Sequence, residues 1–181
     1  MKAFIGCSSY DEIDDIYFDN AKEVSEVLID KGYDLVFGCR NMGLMGSIYD
    51  SFMDSGAEVT AVCTEFYKED LDLVSCKKVL VPDTVGQLEE FMKSDVLIFL
   101  PGGYGTYNEL FYMINAYVTK DHNSKIIVMN VNNYFENLKG ILSKVKNDKF
   151  AKIFDFVHVV DSVEELGSLL EDEKCLSMEK M

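Results

Sequence analysis

The sequence predicts an α/β protein: a Rossmann-like, doubly wound parallel sheet in a single domain over residues 1–181. Three observations carry this. Strand-like and helix-like segments alternate along the chain. The strand-like runs are near-continuous Val, Ile and Leu, the pattern of strands buried on both faces. Glycines stand where strands give way to helices. Strand–helix–strand crossovers of this length close right-handed and so cover both faces of the sheet.

In chain order, "KAFIGC" (2–7) reads as a short buried strand. Ile16, Ala21, Val24, Val27 and Leu28 then recur near helical spacing, and Gly32 stops that helix. "YDLVFG" (33–38) is a second strand, "GLMGSIYDSFMDSG" (43–56) a helix closed by Gly56, and "EVTAVC" (58–63) a third strand. "KKVLV" (77–81) is a fourth strand, "VGQLEEFMKS" (85–94) a helix, and "DVLIFL" (95–100) a strong fifth strand. "YNELFYMINAYV" (107–118) is a helix, "KIIVMNV" (125–131) a strand, "YFENLKGILSKV" (134–145) a helix, "DFVHVV" (155–160) a strand and "SVEELGSLL" (162–170) a closing helix. The polar tail "EDEKCLSMEKM" is expected to fray.

Two glycine-bearing loops leave the carboxyl edge of this sheet, where ligands bind in such folds: "FGCRNMGLMGS" (37–47) and "PGGYGT" (101–106). Glycine lets backbone N–H groups approach an anion closely, and a helix N-terminus adds unpaired donors and about half a positive charge. Two such loops can grip one nucleotide from both sides. The alternative for the second loop is an ordinary turn, with Thr106 and Glu109 forming a capping box at the following helix.

The hydrophobic share is 48% and the charged share 27%, an ordinary globular balance. No stretch approaches the roughly 18 apolar residues that span a bilayer. The N-terminus turns acidic before an apolar core forms, so it does not read as a signal peptide. The five cysteines (Cys7, Cys39, Cys63, Cys76, Cys175) show no CxxC spacing, which predicts reduced thiols in a cytoplasm and no zinc site. A formal net charge of −15 sets nucleic acid aside as a partner and requires any phosphate site to make its own positive field. Arg40 is the only arginine. It is expected either to reach into the cleft toward a ligand or to form a surface salt bridge.

"PGGYGTYNE" resembles the PGGxGTxxE signature of the LOG ("lonely guy") phosphoribohydrolases, a family also called lysine decarboxylase-like. "GLMG" (43–46) is similar to the second half of that family's first glycine loop and "GCSS" (6–9) to its first-strand loop; the resemblance covers roughly residues 3–166. It implies a Rossmann-like fold, a homodimer and cleavage of the N-glycosidic bond of a nucleoside 5′-monophosphate to free base and ribose 5-phosphate. It also implies that Gly102, Gly103, Gly105 and Thr106, with Gly43 and Ser8, bind the substrate and that Glu109 is the catalytic carboxylate. A fixed anion there stabilises the ribosyl cation or orients water. No cofactor or metal is expected.

The chain also departs from the family. Its Arg-Lys pair, counted back from Glu109, falls on Gly86 and Gln87, and its triple glycine is Gly38-Cys39-Arg40. Its Trp-x-Gln reads Ala116-Tyr117-Val118. Three readings stand at this point: a phosphoribohydrolase with a rebuilt site in which Arg40 supplies the missing charge, a nucleotide or cofactor carrier similar to molybdenum cofactor carrier proteins, and another reaction on a phosphosugar. His122 and His158 read as structural, and Cys7 and Cys39 as small buried thiols. Tyr104 and Tyr107 read as base-stacking or loop-packing residues.

Overall fold

The structure is a computed structural model that describes residues 1–152 and 155–178. Its strands are β1 Lys2–Gly6, β2 Asp34–Phe37, β3 Val59–Thr64, β4 Lys77–Val81, β5 Val96–Phe99, β6 Lys125–Met129 and β7 Val157–Val160. They form one seven-stranded sheet in the order β4-β3-β2-β1-β5-β6-β7, with every pair parallel. The helices are α1 Asp15–Asp30, α2 Gly43–Ser55, α3 Thr84–Phe91, α4 Tyr104–Thr119, α5 Glu136–Asn147 and α6 Val163–Met178. Among the described residues, no helix is long and apolar enough to cross a membrane.

The period of two along each strand sends alternate side chains to opposite faces. Ala3, Ile5, Leu35, Phe37, Val96 and Ile98 pack with α1, α2 and α6 through Val24, Leu28, Leu44, Phe52 and Leu166. Phe4, Val36, Leu97, Phe99 and Val128 pack with α3, α4 and α5 through Leu88, Phe91, Leu110, Met113 and Leu138. Two cores with one sheet between them are the doubly wound arrangement that continuous apolar strands require.

Most boundaries agree with the sequence pattern to within a few residues. Gly56 closes α2 in the left-handed region (φ 78), and Gly32 (φ 76) follows α1. The differences have local causes. Helix α4 starts at Tyr104, because its first-turn residues need no intrahelical N–H bond and so tolerate Gly105. Helix α6 continues through the polar tail to Met178, where fraying was expected; residues 179–181 lie outside the described residues. Glu65–Leu73 forms a 3-10 segment with no apolar period to announce it.

The thiol expectation is corrected at two positions. Cys39 and Cys63 are joined in a disulfide, while Cys7 and Cys76 are free; the Cys175 side chain lies outside the described residues. Strands β2 and β3 are neighbours, so their carboxyl ends bring the two sulfurs together across a sequence separation of 24. Spacing rules look for short motifs and miss a pair made by sheet topology. Cross-linking a loop of this length restricts the unfolded chain. Cys39→Ser is therefore expected to lower stability by about 2–4 kcal/mol, read from thermal or urea unfolding without reductant. An unchanged midpoint would remove the bridge from the stability of the fold.

Strand order reverses between β1 and β5: the chain runs outward from β1 through β2, β3 and β4, then returns to the other side of β1 with β5. Loops leaving adjacent strands at this reversal diverge and open a crevice at the carboxyl edge.

Candidate active site

The crevice is a cleft of about 640 Å³ lined by all three loops that leave β1, β2 and β5. The β1 loop contributes Cys7, Ser8 and Ser9, the β2 loop Gly38 and Arg40, and the β5 loop and α4 Gly102, Gly103, Gly105, Thr106 and Glu109. A hollow of about 650 Å³ along β7 and α6 touches neither glycine loop. Ser8, Arg40, Gly102, Gly103, Gly105, Thr106 and Glu109, singled out in the sequence, therefore converge in the first of these.

The glycines of "PGGYGT" divide by geometry. A Cβ on Gly102 would meet Thr106 Oγ1 at 2.1 Å and the Cys7 carbonyl carbon at 3.0 Å, so Gly102 permits close packing of three loops. A Cβ on Gly103 or Gly105 would meet nothing within 4 Å. Gly103 has φ −84 and ψ −157, extended backbone open to any residue. Neither packing nor strain requires glycine there, which leaves the open space above the helix end as the reason. Gly103 is the N-cap of α4 and no side chain caps the helix, so the first-turn N–H groups face that space.

The capping-box expectation is corrected here. Because α4 begins at Tyr104, Thr106 lies inside the first turn and Glu109 lies beyond it, too far along to reach back to the cap. Glu109 is left for another task. Its Oε2 is sealed from solvent and has no hydrogen-bond partner. A Cβ on Gly6 would stand 2.8 Å from that oxygen, so the carboxyl lies over the end of β1 and the glycine admits it. Burial pushes the Glu109 carboxyl up to about 8, which keeps it protonated at neutral pH. Burial, and after it the neighbouring Glu109, hold the Cys7 thiol well above its ordinary value, so Cys7 is an inert thiol.

Arg40 stands at the cleft and is paired there. It lines the cleft, and its Nε lies 3.1 Å from Asp70 Oδ2 in the 3-10 segment. Its Nη1 donates to Ser9 Oγ at 3.2 Å, and its guanidinium lies 5.4 Å from the centre of the Tyr67 ring. The disulfide at Cys39 ties the Arg40 loop to the end of β3, from which Tyr67 and Asp70 follow.

Ser8 is buried and joins the loops: its N–H donates to the Pro101 carbonyl at 3.1 Å, and its own carbonyl accepts from Met45 N–H at 3.2 Å. Gly43 is buried outside the cleft lining, with φ 56, Tyr10 backbone against its Cα and its N–H donated to Asp11 Oδ1 at 2.8 Å. Its role is to let the β1 and β2 loops touch. Gln87 reaches the cleft while its amide donates to the Val62 carbonyl at 2.7 Å, and Gly86 lies outside the lining. His122 is structural: Nδ1 accepts from Ser124 N–H and Nε2 pairs with the Met113 carbonyl. Tyr104 is 97% exposed at the mouth, and Tyr107 lies 6.5 Å from Tyr134, centre to centre. Gly6, Tyr67, Asp70 and Tyr134 went unmarked by sequence reasoning; only Gly6, in "GCSS", carried a signal.

The chain is similar to cytokinin riboside 5′-monophosphate phosphoribohydrolases. It is 29% identical to LOG2 of Arabidopsis thaliana over 150 residues, covering 81% of this chain and 70% of that protein. It is 28% identical to LOG1 of the same plant over 182 residues, covering 93% and 81%. A probable enzyme of this name from Oryza sativa, LOGL1, is 29% identical over 140 residues, and the chain spans 63% of its length. Among solved structures, the Moco carrier protein of Chlamydomonas reinhardtii matches with TM-score 0.66 at 16% identity, covering 98% of both chains. The molybdenum cofactor binding protein of Rippkaea orientalis matches with TM-score 0.65 at 15% identity, covering 94% of both. At these identities the two structures show a shared fold. The family model described as possible lysine decarboxylase matches residues 45–170, and the chain belongs to that family.

Proposed function

We propose that the protein is a nucleoside 5′-monophosphate phosphoribohydrolase, releasing free base and ribose 5-phosphate. The observation that carries this is the unpartnered Glu109 carboxyl, held over Gly6 in the cleft between an anion-type helix end and Arg40. Neighbouring strands lie about 4.8 Å apart, so the step from the β5 loop across β1 to the β2 loop is roughly 10 Å. A nucleotide spans that reach with phosphate over the α4 N-terminus, ribose beside Glu109 and base toward Arg40 and Tyr67. Relatives named as phosphoribohydrolases of cytokinin riboside 5′-monophosphates support the reading.

The chemistry follows from the protonated carboxyl. The bond between ribose C1′ and the base nitrogen breaks with its electron pair going to the base, and Glu109 gives that nitrogen a proton. The carboxylate so formed faces the ribosyl cation and then takes a proton from the water that adds to C1′. Before reaction the neutral carboxyl places no negative charge beside the substrate phosphate. In a chain of net charge −15 this spares the phosphate one further repulsion.

Incubation with a panel of nucleoside monophosphates, with released base measured, tests the proposal. Base from at least one of them is expected. Tight binding without release from any would instead favour a carrier, a reading that the exchange of the family's Arg-Lys pair for Gly86 and Gln87 keeps open. Arg40→Ala is expected to weaken nucleotide binding by about 1.5–3 kcal/mol, with Arg40→Lys between, since lysine keeps the charge and loses the planar fork. Equal affinities at low salt would reduce Arg40 to its ion pair with Asp70.

A phosphorylated substrate is met inside cells, which keeps the cytoplasmic reading. The Cys39–Cys63 disulfide runs against that reading, because a reducing compartment keeps ordinary thiols reduced. The partly exposed apolar residues Phe111 and Val118 on α4 support a homodimer.

A further inference from the structure

Gly102 and Gly103 are consecutive, and neither has a side chain to hold the peptide plane between them. That peptide carries the Gly102 carbonyl on one edge and the Gly103 N–H on the opposite edge. Two glycines let it flip at little cost. In one orientation an anion at the helix end meets a donor. In the other it meets a carbonyl oxygen, which repels it.

The Tyr134 hydroxyl donates to the Gly102 carbonyl at 2.7 Å. Tyr134 comes from the far side of the cleft, between β6 and α5, and is itself held firmly. Asn132 and Asn133 take positive φ (49 and 58) to make the turn. Buried Asn130 fixes that turn, with Oδ1 accepting from Phe135 N–H at 2.7 Å and Nδ2 donating to Asp161 Oδ1 at 2.7 Å. Lys139 Nζ donates to the same Asp161 Oδ1 at 2.9 Å and to Oδ2 at 3.1 Å. The Tyr134 ring meets Tyr17 edge-on at 6.1 Å and lies near-parallel to Tyr107 at 6.5 Å. A turn in uncommon backbone conformations, supported by buried Asn130, thus ends in one hydroxyl aimed at one carbonyl.

We propose that Tyr134 is a positioning residue for the phosphate subsite, locking the Gly102–Gly103 peptide with its carbonyl occupied and its N–H directed to the ligand. The ligand class is a phosphomonoester on a ribose. The proposal rests on the reading of the α4 end as a phosphate site and is independent of turnover.

The test compares wild type, Tyr134→Phe and Tyr17→Phe by calorimetry with ribose 5-phosphate and with a nucleoside lacking phosphate. Tyr134→Phe keeps the ring and removes only the hydroxyl. It is expected to weaken ribose 5-phosphate binding at least tenfold and to leave nucleoside binding unchanged, while Tyr17→Phe changes neither. Where base release is measurable, the same variant is expected to raise KM for the monophosphate with kcat nearly kept. Equal loss for phosphorylated and unphosphorylated ligands would mark a general packing defect and overturn the proposal. So would equal ribose 5-phosphate affinities for wild type and Tyr134→Phe. A wild-type protein that binds no ribose 5-phosphate would remove the phosphate site and the proposal together, whereas binding without base release would remove only the hydrolase reading.

Discussion

Glu109→Gln is expected to slow base release by about 10²–10⁴-fold, the range that proton transfer by a positioned group contributes. Glutamine keeps the shape over Gly6 and loses the proton to be donated, so nucleotide affinity should change little. The wild-type rate should fall as pH rises past about 8, where the buried carboxyl ionises. Stability should move the other way in the variant. The folded-state pKa of Glu109, about 8, lies above its ordinary 4.5, so between these values the folded chain keeps a proton that the unfolded chain releases. Wild-type stability therefore declines across that window as pH rises, by on the order of 4 kcal/mol in total. Glutamine does not titrate, so the variant should gain on wild type steadily from about pH 4.5 to about pH 8, read as melting temperatures in a buffer series. A variant with full activity, or a stability difference flat with pH, would return Glu109 to a structural role.

Two neighbouring glycine substitutions should separate binding from folding. Gly103→Val places its side chain where nothing lies within 4 Å, in backbone that valine adopts without strain. It should leave the melting temperature nearly unchanged and abolish nucleotide monophosphate binding by filling the space before the helix end. Gly102→Val drives a branched carbon into Thr106 and the Cys7 backbone, and the loops cannot part without disturbing β1 and β5. A stability loss of at least about 1–3 kcal/mol is expected, as for other overpacked sites. Calorimetry and thermal unfolding on the pair decide the matter. Undiminished binding by folded Gly103→Val protein would empty the phosphate reading of its main support.

The strands were legible because buried parallel strands concentrate Val, Ile and Leu, as in Val96–Phe99, and this pattern survives without knowledge of tertiary partners. The place of Gly102, Gly103, Gly105 and Thr106 at the cleft was legible for a related reason: they follow such a strand in a single unbroken motif. What stayed hidden depends on sheet order. Cys39 and Cys63 meet because β2 lies beside β3, and Asp70 reaches Arg40 because the 3-10 segment folds back over that edge. The true start of α4 was also hidden, since a first turn tolerates glycine. Three residues of helix changed Glu109 from a cap into an isolated buried acid.

The tyrosines at the cleft have an optical consequence. The chain has no tryptophan and ten tyrosines, so tyrosine emission is not drained to a lower-energy indole. Tyr107 and Tyr134 line the cleft, and Tyr17 sits against Tyr134. A phosphomonoester bound there, as proposed, would change the field and the proton acceptors around their phenols. With a ligand bound as proposed, the unlabelled protein would carry its own fluorescent reporter of occupancy, and subtracting the Tyr134→Phe signal would isolate the ring that joins the β6–α5 turn to the glycine loop.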